Sequence, residues 1–493
     1  MSDPSDHINT PADTHNHEAN SRRDFLLAGA GIVGAAAAAP LLSAPAEAQV
    51  NDNDLTTALS RPRILIKGGV VLSLDRAVGD FAQGDVLIED GTIRDVGPGI
   101  TASDAAVINA ANHIVIPGFV DTHHHFYQGI LRNILPNGLL NPDYQRDISN
   151  TLTAAYLPDD VYAGSLITAL GMIDHGTTTA VDTSQVQHTR AHTDASIRAL
   201  QESGLRVVYA YSRGTGPAAQ FPQDVMRLAR TTFSSKSQLL TLALGTGLDE
   251  TMFRAAREAG VPTVSHGVNN NTEQALFALN RAGLLKPGDE YIHCTHLSDA
   301  AWKLIKDTGG HVSLAVPIEM AMGHGLPPIQ DALDHGIRPS LSSDVDVTMA
   351  QDPFTVMRAA FTLQRLGVLQ RARTGAQNLP PLLTCRDVLE FATIEGARCT
   401  GLDNKVGTLT PGKDADIVLL KADRLNVWPL NNAAGAVVNL MNPSNVETVF
   451  IAGKPRKWRG NLVGVSVPRM LRLAAQARDG VVRRSGFKLD LLG

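Results

Sequence analysis

The sequence predicts an α/β protein: a distorted (β/α)8 TIM barrel joined to a small composite β-sandwich domain built from both chain ends. Three observations predict it. Between residues 117 and 404, short β-rich apolar runs alternate with longer helical stretches, the pattern that parallel βα units produce. Eight such runs occur over a length matching one closed barrel, typically ~250 residues. On either side, residues 62–116 and 405–465 read as β-segments punctuated by turns, and two β pieces flanking a barrel are most simply one domain.

The elements follow in chain order. Residues 1–48 stand outside the fold. A polar stretch leads to Ser21-Arg22-Arg23-Asp24-Phe25-Leu26, an apolar Ala/Gly-rich run from Leu27 to Leu42, and the small residues of Ala46-Glu47-Ala48. Charged, then apolar, then small-x-small is the order of a secretory signal, and the paired arginines resemble the twin-arginine type. The expectation is passage through the twin-arginine translocation machinery to a periplasmic location. A membrane anchor needs ~20 apolar residues, more than this run offers.

Arg63–Lys67, Asp85–Glu89 and Thr92–Val96 read as strands, with Asp90-Gly91 as a hairpin turn. The barrel strands are expected at 114–120, 176–182, 206–212, 239–245, 262–266, 291–294, 311–316 and 337–342. An open doubly wound sheet shares this periodicity, but no Gly-rich phosphate loop opens a helix after an early strand. After residues 405–465, a segment with helical period from Val467 to Gly480 lies within a terminal helix and tail, residues 466–493.

A hydrophobic share of 43% leaves ample material for a core. The net charge of −6, with no long basic run, gives no electrostatic footprint for nucleic acid. Three cysteines without metal-site spacing read as structural thiols, not a disulfide framework. Nothing in the sequence fixes the oligomeric state, and a homo-oligomer is compatible with it.

The strongest local signal is Pro117-Gly118-Phe119-Val120-Asp121-Thr122-His123-His124-His125. In an extended chain residues i and i+2 share a side, so His123 and His125 both aim into a barrel mouth while His124 points away. Two imidazoles from one strand end make a natural metal clamp. His266, His293 and Asp344 end later strands, and the C-terminal strand ends are where barrel enzymes hold their chemistry.

The segments PGFVDTHHH, VSHG, YIHCTHLSD, LSSDVD and VGTLTPGKDADIVLL resemble the amidohydrolase superfamily, in its aminohydrolase and chlorohydrolase (cytosine deaminase-like) branch, over roughly residues 62–465. The resemblance implies one divalent metal ion, zinc or alternatively iron, held by His123, His125, His266 and Asp344. It places His293 beside the attacking water, with His296 as the competing candidate. It implies a hydrolase of non-peptide carbon–nitrogen bonds, acting on a small cyclic or heteroaromatic molecule.

The mechanism expected of such a site is metal-activated water, its pKa lowered towards about 7, with Asp344 taking the proton and His293 orienting the attack. A binuclear site needs a bridging group, usually a carboxylated Lys on strand four, and Leu239 to Gly247 contains no Lys. Deaminases of this branch carry Glu three residues after the strand-five His; here that position is Asn269, which cannot deliver a proton. Glu319 is therefore the expected acid at the mouth, and Asn269, His324, Gln128 and His188 are candidate substrate contacts, with His192, Arg213 and Tyr127 as weaker ones. An amide or carbon–halogen hydrolase on the same scaffold, and a metal-retaining binding protein without catalysis, are the rival functions.

Overall fold

The structure, a computed structural model, describes residues 53–235, 237–268 and 271–492. The proposed signal segment, residues 1–48, lies outside them.

The first sheet is built from both chain ends. Arg63–Val71 (β1), Phe81–Glu89 (β2), Thr92–Gly97 (β3), Ala106–Asn109 (β4) and His113–Pro117 (β5) supply its N-terminal part. The barrel strands are Phe119–His124 (β6), Thr177–Ser184 (β7), Arg206–Tyr211 (β8), Leu240–Thr246 (β9), Thr263–His266 (β10), Glu290–Ile292 (β11), His311–Leu314 (β12) and Ser340–Leu341 (β13). Ile417–Lys421 (β14), Val446–Ile451 (β15), Lys454–Trp458 (β16) and Asn461–Leu462 (β17) then return to the first sheet.

The chain ends join where β14 lies antiparallel to β5, Ile417 opposite Pro117. The resulting mixed sheet runs β17-β16-β15-β14-β5-β1-β2-β3, with β4 also on β1. Its hairpins have the expected chemistry: Asp90-Gly91 joins β2 to β3 with φ of 48° and 81°. Ile64, Ile66, Val86, Ile88, Ile417, Leu419 and Phe450 share one buried core on it.

The second sheet orders β13 through β6 in unbroken sequence, every pair parallel. Strands β7 and β8 are buried throughout, as parallel strands covered by helices must be. Helices cover the outside, among them Pro158–Asp174, Arg190–Ser203, Glu250–Ala259, Thr272–Arg281, Asp299–Asp307 and Pro353–Arg373. Several start where a side chain accepts a free backbone N–H: Asp249 from Met252 at 3.1 Å, Asp352 from Phe354 at 2.9 Å. Gly204 and Gly260 end two of them with φ of 70° and 68°.

The barrel closes between its first and last strands through few bonds. The Asp344 N–H donates to the His123 carbonyl and the His125 N–H to the Asp344 carbonyl, each at 2.9 Å. The Thr122 hydroxyl lies 2.8 Å from that of Ser340.

One expectation is corrected. Residues 114–120 do not form a single barrel strand: 114–117 belong to the first sheet, and the barrel strand begins at Phe119. Gly118 is the joint. A Cβ there would lie 2.0 Å from Thr178 Oγ1, so the chain passes from one sheet to the other where only glycine fits. The terminal helix extends over Val467–Ser485, five residues beyond the sequence period, and buries Ala474, Ala477 and Val481.

Candidate metal centre

The strand ends deliver their side chains to one point. β6 stays extended through His124, so His123 and His125 fall on one side, their rings 4.8 Å apart. His266 ends β10 and stacks on His125 at 5.6 Å, with His123 at 4.8 Å. Beyond β11 and β13 the backbone turns sharply. His293 and Asp344 sit at φ of 69° and 61°, left-handed values that β-carbon-bearing residues seldom adopt and that cluster at functional sites.

His123 Nε2 is 3.0 Å and His125 Nε2 3.5 Å from Asp344 Oδ1. Ligands of a tetrahedral ion at ~2.1 Å stand ~3.4 Å from one another, so these separations suit atoms sharing one cation. The opposite ring nitrogens are engaged: His123 Nδ1–H donates to Thr183 Oγ1 and His125 Nδ1–H to the Thr183 carbonyl, both at 2.9 Å. That leaves the Nε2 lone pairs for a metal, with orientation fixed from behind.

Electrostatics agree with the donor geometry. Burial, then neighbouring His123, pushes His125 down to about 3, and burial with His123 and His125 holds His266 well below the usual imidazole range. Burial would raise the Asp344 carboxyl, but the hydrogen bond and charge of His123, with His293 and His125, hold it well below the usual carboxylate range. Neutral imidazoles around an ionised carboxylate are the protonation states a divalent ion requires. His123, His125, His266 and Asp344 therefore fit such an ion.

His293 completes the cluster. Its Nδ1–H donates to Glu319 Oε1 at 3.1 Å and its Nε2 stands 3.7 Å from Asp344 Oδ2. Burial lowers the His293 pKa, but the Glu319 hydrogen bond and the charges of Asp344 and Glu319 outweigh it and raise it. His296 turns elsewhere, donating to the His324 carbonyl at 3.1 Å. His124, pointing away from the cluster, donates to Ser343 Oγ at 2.9 Å, while Ser343 donates to Asp121; its Nε2 is 3.7 Å from Asp346, which Arg132 pairs at 3.2 Å.

A cavity of about 1080 Å³ opens over the cluster, lined at its inner end by His125, His266, His293, His324 and Asp344. Farther out it meets Tyr144, Arg213, Phe221, Met252 and Asn271. Three expectations about it are corrected. Glu319 does not face the mouth: it is fully buried behind His293, its Oε1 also accepting the Ala315 N–H at 2.8 Å. Backbone groups occupy both nitrogens of His188, which donates to the Thr153 carbonyl and accepts from the Thr215 N–H at 2.9 and 2.8 Å.

Gln128 is likewise buried away from the cavity, donating to the hydroxyls of Tyr127 and Tyr144 at 3.1 and 2.7 Å. His192 donates to the Tyr156 carbonyl at 3.1 Å. Asn269 lies outside the described residues. Sequence reasoning missed Tyr144, which the irregular helical segment Leu140–Leu152 brings to the cavity wall and whose sequence context carries no catalytic pattern.

The comparisons agree with this architecture. The amidohydrolase family model matches residues 114–456. A 5'-deoxyadenosine deaminase of Methanosarcina mazei is 26% identical over 441 residues, covering 85% of this chain and 99% of its own length. A 5-methylthioadenosine/S-adenosylhomocysteine deaminase of Syntrophus aciditrophicus is 28% identical over 422 residues, covering 79% and 91%.

Among solved structures, a zinc-bound adenosine deaminase from Xanthomonas campestris superposes with a TM-score of 0.75 at 20% identity, covering 85% of this chain and 98% of that one. An atrazine chlorohydrolase variant from Arthrobacter aurescens, complexed with zinc and atraton, gives 0.75 at 20% identity, covering 84% and 100%. With the model matched across the barrel and the returning strands, the chain belongs to the amidohydrolase family, as a hydrolase of carbon–nitrogen bonds.

Proposed function

We propose that this chain is a zinc-dependent hydrolytic deaminase of an amino-substituted heterocycle carried on a nucleoside-sized molecule. The observation that carries the reading is that His123, His125 and Asp344 form one ligand group and His123, His266 and His293 another, sharing His123, with His293 facing Asp344 across 3.7 Å at the inner end of a large cavity. The curated relatives named as deaminases of adenosine derivatives support the substrate class. The cavity, about 1080 Å³, lies just above the ~300–1,000 Å³ of pockets for drug-sized ligands, which favours more than a bare ring.

When bound, the ion supplies Lewis acidity, lowering the pKa of a water in its reach towards ~7. The protein's groups do the rest. Asp344 Oδ2 accepts the proton of the attacking water. His293, fixed through Nδ1 by Glu319, presents Nε2 to the same water and aims it at the ring carbon. The C–O bond forms, the C–N bond to the amino group breaks, and the water's protons end on the ring nitrogen and the departing ammonia. The net change turns an amino-substituted C=N into a ring amide plus ammonia.

A second reading, carbon–halogen or amide hydrolysis on the same scaffold, is favoured by one observation: Asn269 stands where a protonating carboxylate is expected. Purified protein with its metal quantified, assayed for ammonia release from adenosine-type nucleosides, aminotriazines, pterins and cyclic amides, separates the two. Ammonia from a ring amine upholds deamination; halide or carboxylate product without ammonia overturns it.

The order Arg22-Arg23, apolar run and Ala46-Glu47-Ala48 supports export by the twin-arginine route to the periplasm. Among the described residues no helix is long and apolar enough to cross a membrane. Replacing both arginines by lysine is expected to retain the protein in the cytoplasmic fraction.

A further inference from the structure

His324 is an unusual histidine. It is only 6% exposed, yet neither ring nitrogen has a hydrogen-bond partner among the described residues. Buried polar groups nearly always find partners, and an exception asks for a missing one. Its ring lies 4.7 Å from that of His293, and a ligand atom of each, with a carboxylate oxygen of Asp344, falls within 4.8 Å of the others. It lines the inner end of the cavity. The loop holding it is fixed from behind: the His324 N–H donates to the Glu319 carbonyl at 3.1 Å, and its own carbonyl accepts from His296. The ring is thus held at the cavity wall with its polar atoms uncommitted.

We infer that His324 is a substrate-contacting residue, donating a hydrogen bond to the ring nitrogen adjacent to the carbon under attack. This assignment rests on the deaminase reading and completes it. As the water oxygen bonds to the carbon, the C=N pair moves onto that nitrogen, and a donor aimed there stabilises the developing charge. The position that usually supplies this contact from strand five holds Asn269, so the group facing the nitrogen comes from the loop after β12. The substrate class narrows accordingly, to heterocycles with an acceptor nitrogen next to the amino-bearing carbon.

Two rivals share the same residues. A second cation could take His293, His324 and Asp344 as ligands, and His324 could merely shape the loop. The test pairs a substitution with an altered substrate. Wild type and His324→Phe, which has no donor, are loaded with zinc and assayed on a responsive nucleoside and on its analogue with that ring nitrogen replaced by C–H, with zinc per chain measured for each protein.

The expected result is a ~100-fold loss of kcat for His324→Phe on the parent substrate, KM changed less than ~3-fold. On the analogue, wild type and variant should be equally poor, because the contact is already gone. Zinc should remain at one per chain in both.

A variant within ~3-fold of wild type, or one losing the same factor on both substrates, overturns the assignment alone. So does a fall from two zinc ions per chain to one, which points to the second cation. A wild type that turns over nothing in the panel overturns the deaminase reading and this assignment together.

Discussion

Glu319 and His124 show how far single residues could be read in advance. The alternation of side chains along an extended strand placed His123 and His125 on one side and His124 on the other, because β6 remains regular through that point. No such rule reached Glu319. Its carboxylate is captured by the backbone N–H of Ala315 and by His293, contacts set by a turn whose shape depends on tertiary packing. On the proposed mechanism it acts through His293 as a positioning residue.

Glu319→Gln is expected to lower kcat by ~10- to 100-fold with zinc content unchanged, checked by steady-state kinetics beside metal analysis. Asp344→Asn, which removes a ligand and a proton acceptor together, is expected to abolish both turnover and zinc retention. The choice between His293 and His296 was ambiguous for a different reason: spacing alone cannot say how a loop turns after a strand. Left-handed backbone at His293 and again at His296 decides which ring enters the cavity.

Among elements, seven of the eight barrel strands coincide with the predicted β-rich runs, because strands covered on both faces favour apolar and β-branched residues, the threonines of Thr177–Ser184 included. The first run misleads because Ile114–Val120 is continuous in hydropathy while the chain changes sheets at Gly118. Close approach of backbones is equally invisible to periodicity. Gly164, inside the helix Pro158–Asp174, would place a Cβ 2.1 Å from the Tyr127 carbonyl oxygen. Gly164→Ala is expected to destabilise the protein by about 3 kcal/mol despite alanine's better helix propensity, measured by chemical denaturation.

The first sheet carries its own pH response. His113 on β5 and Glu447 on β15 form a close, partly buried pair across β14. Burial lowers the His113 pKa, but the hydrogen bond and charge of Glu447 outweigh it and raise it; the His113 hydrogen bond, against burial, holds Glu447 low. The histidine's contribution is full below its unfolded pKa of ~6.5 and is lost as pH rises through the higher folded value. The carboxylate's is present above ~4.3 and lost as pH falls through the lower folded one. The melting temperature should therefore fall by roughly 2 °C as pH rises from 6 to 8, and Glu447→Gln should flatten that dependence.

At the scale of the whole molecule, both sheets answer to the same few ion pairs. Arg206 at the start of β8 reaches Asp414 and Asp416 at 2.8 and 3.0 Å, and Lys457 reaches Asp174 at 2.8 Å, tying the barrel floor to the first sheet. The terminal helix clasps the other side, Arg484 donating to the Ala155 carbonyl at 2.8 Å. Stripping zinc with a chelator is expected to abolish activity and lower the melting temperature by at least ~5 °C, both restored on adding the ion back.

The last and first strands of the barrel meet through the backbone of Asp344, whose side chain belongs to the metal cluster. An occupied centre is thus expected to reinforce this seam as a buckle does, on top of the two backbone bonds that already close it. Amides of Asp344 and His125 should exchange with deuterated water far faster in the stripped protein than those of β8 and β9, on the opposite wall. Capturing the ion is then expected to fasten the cylinder at its thinnest joint.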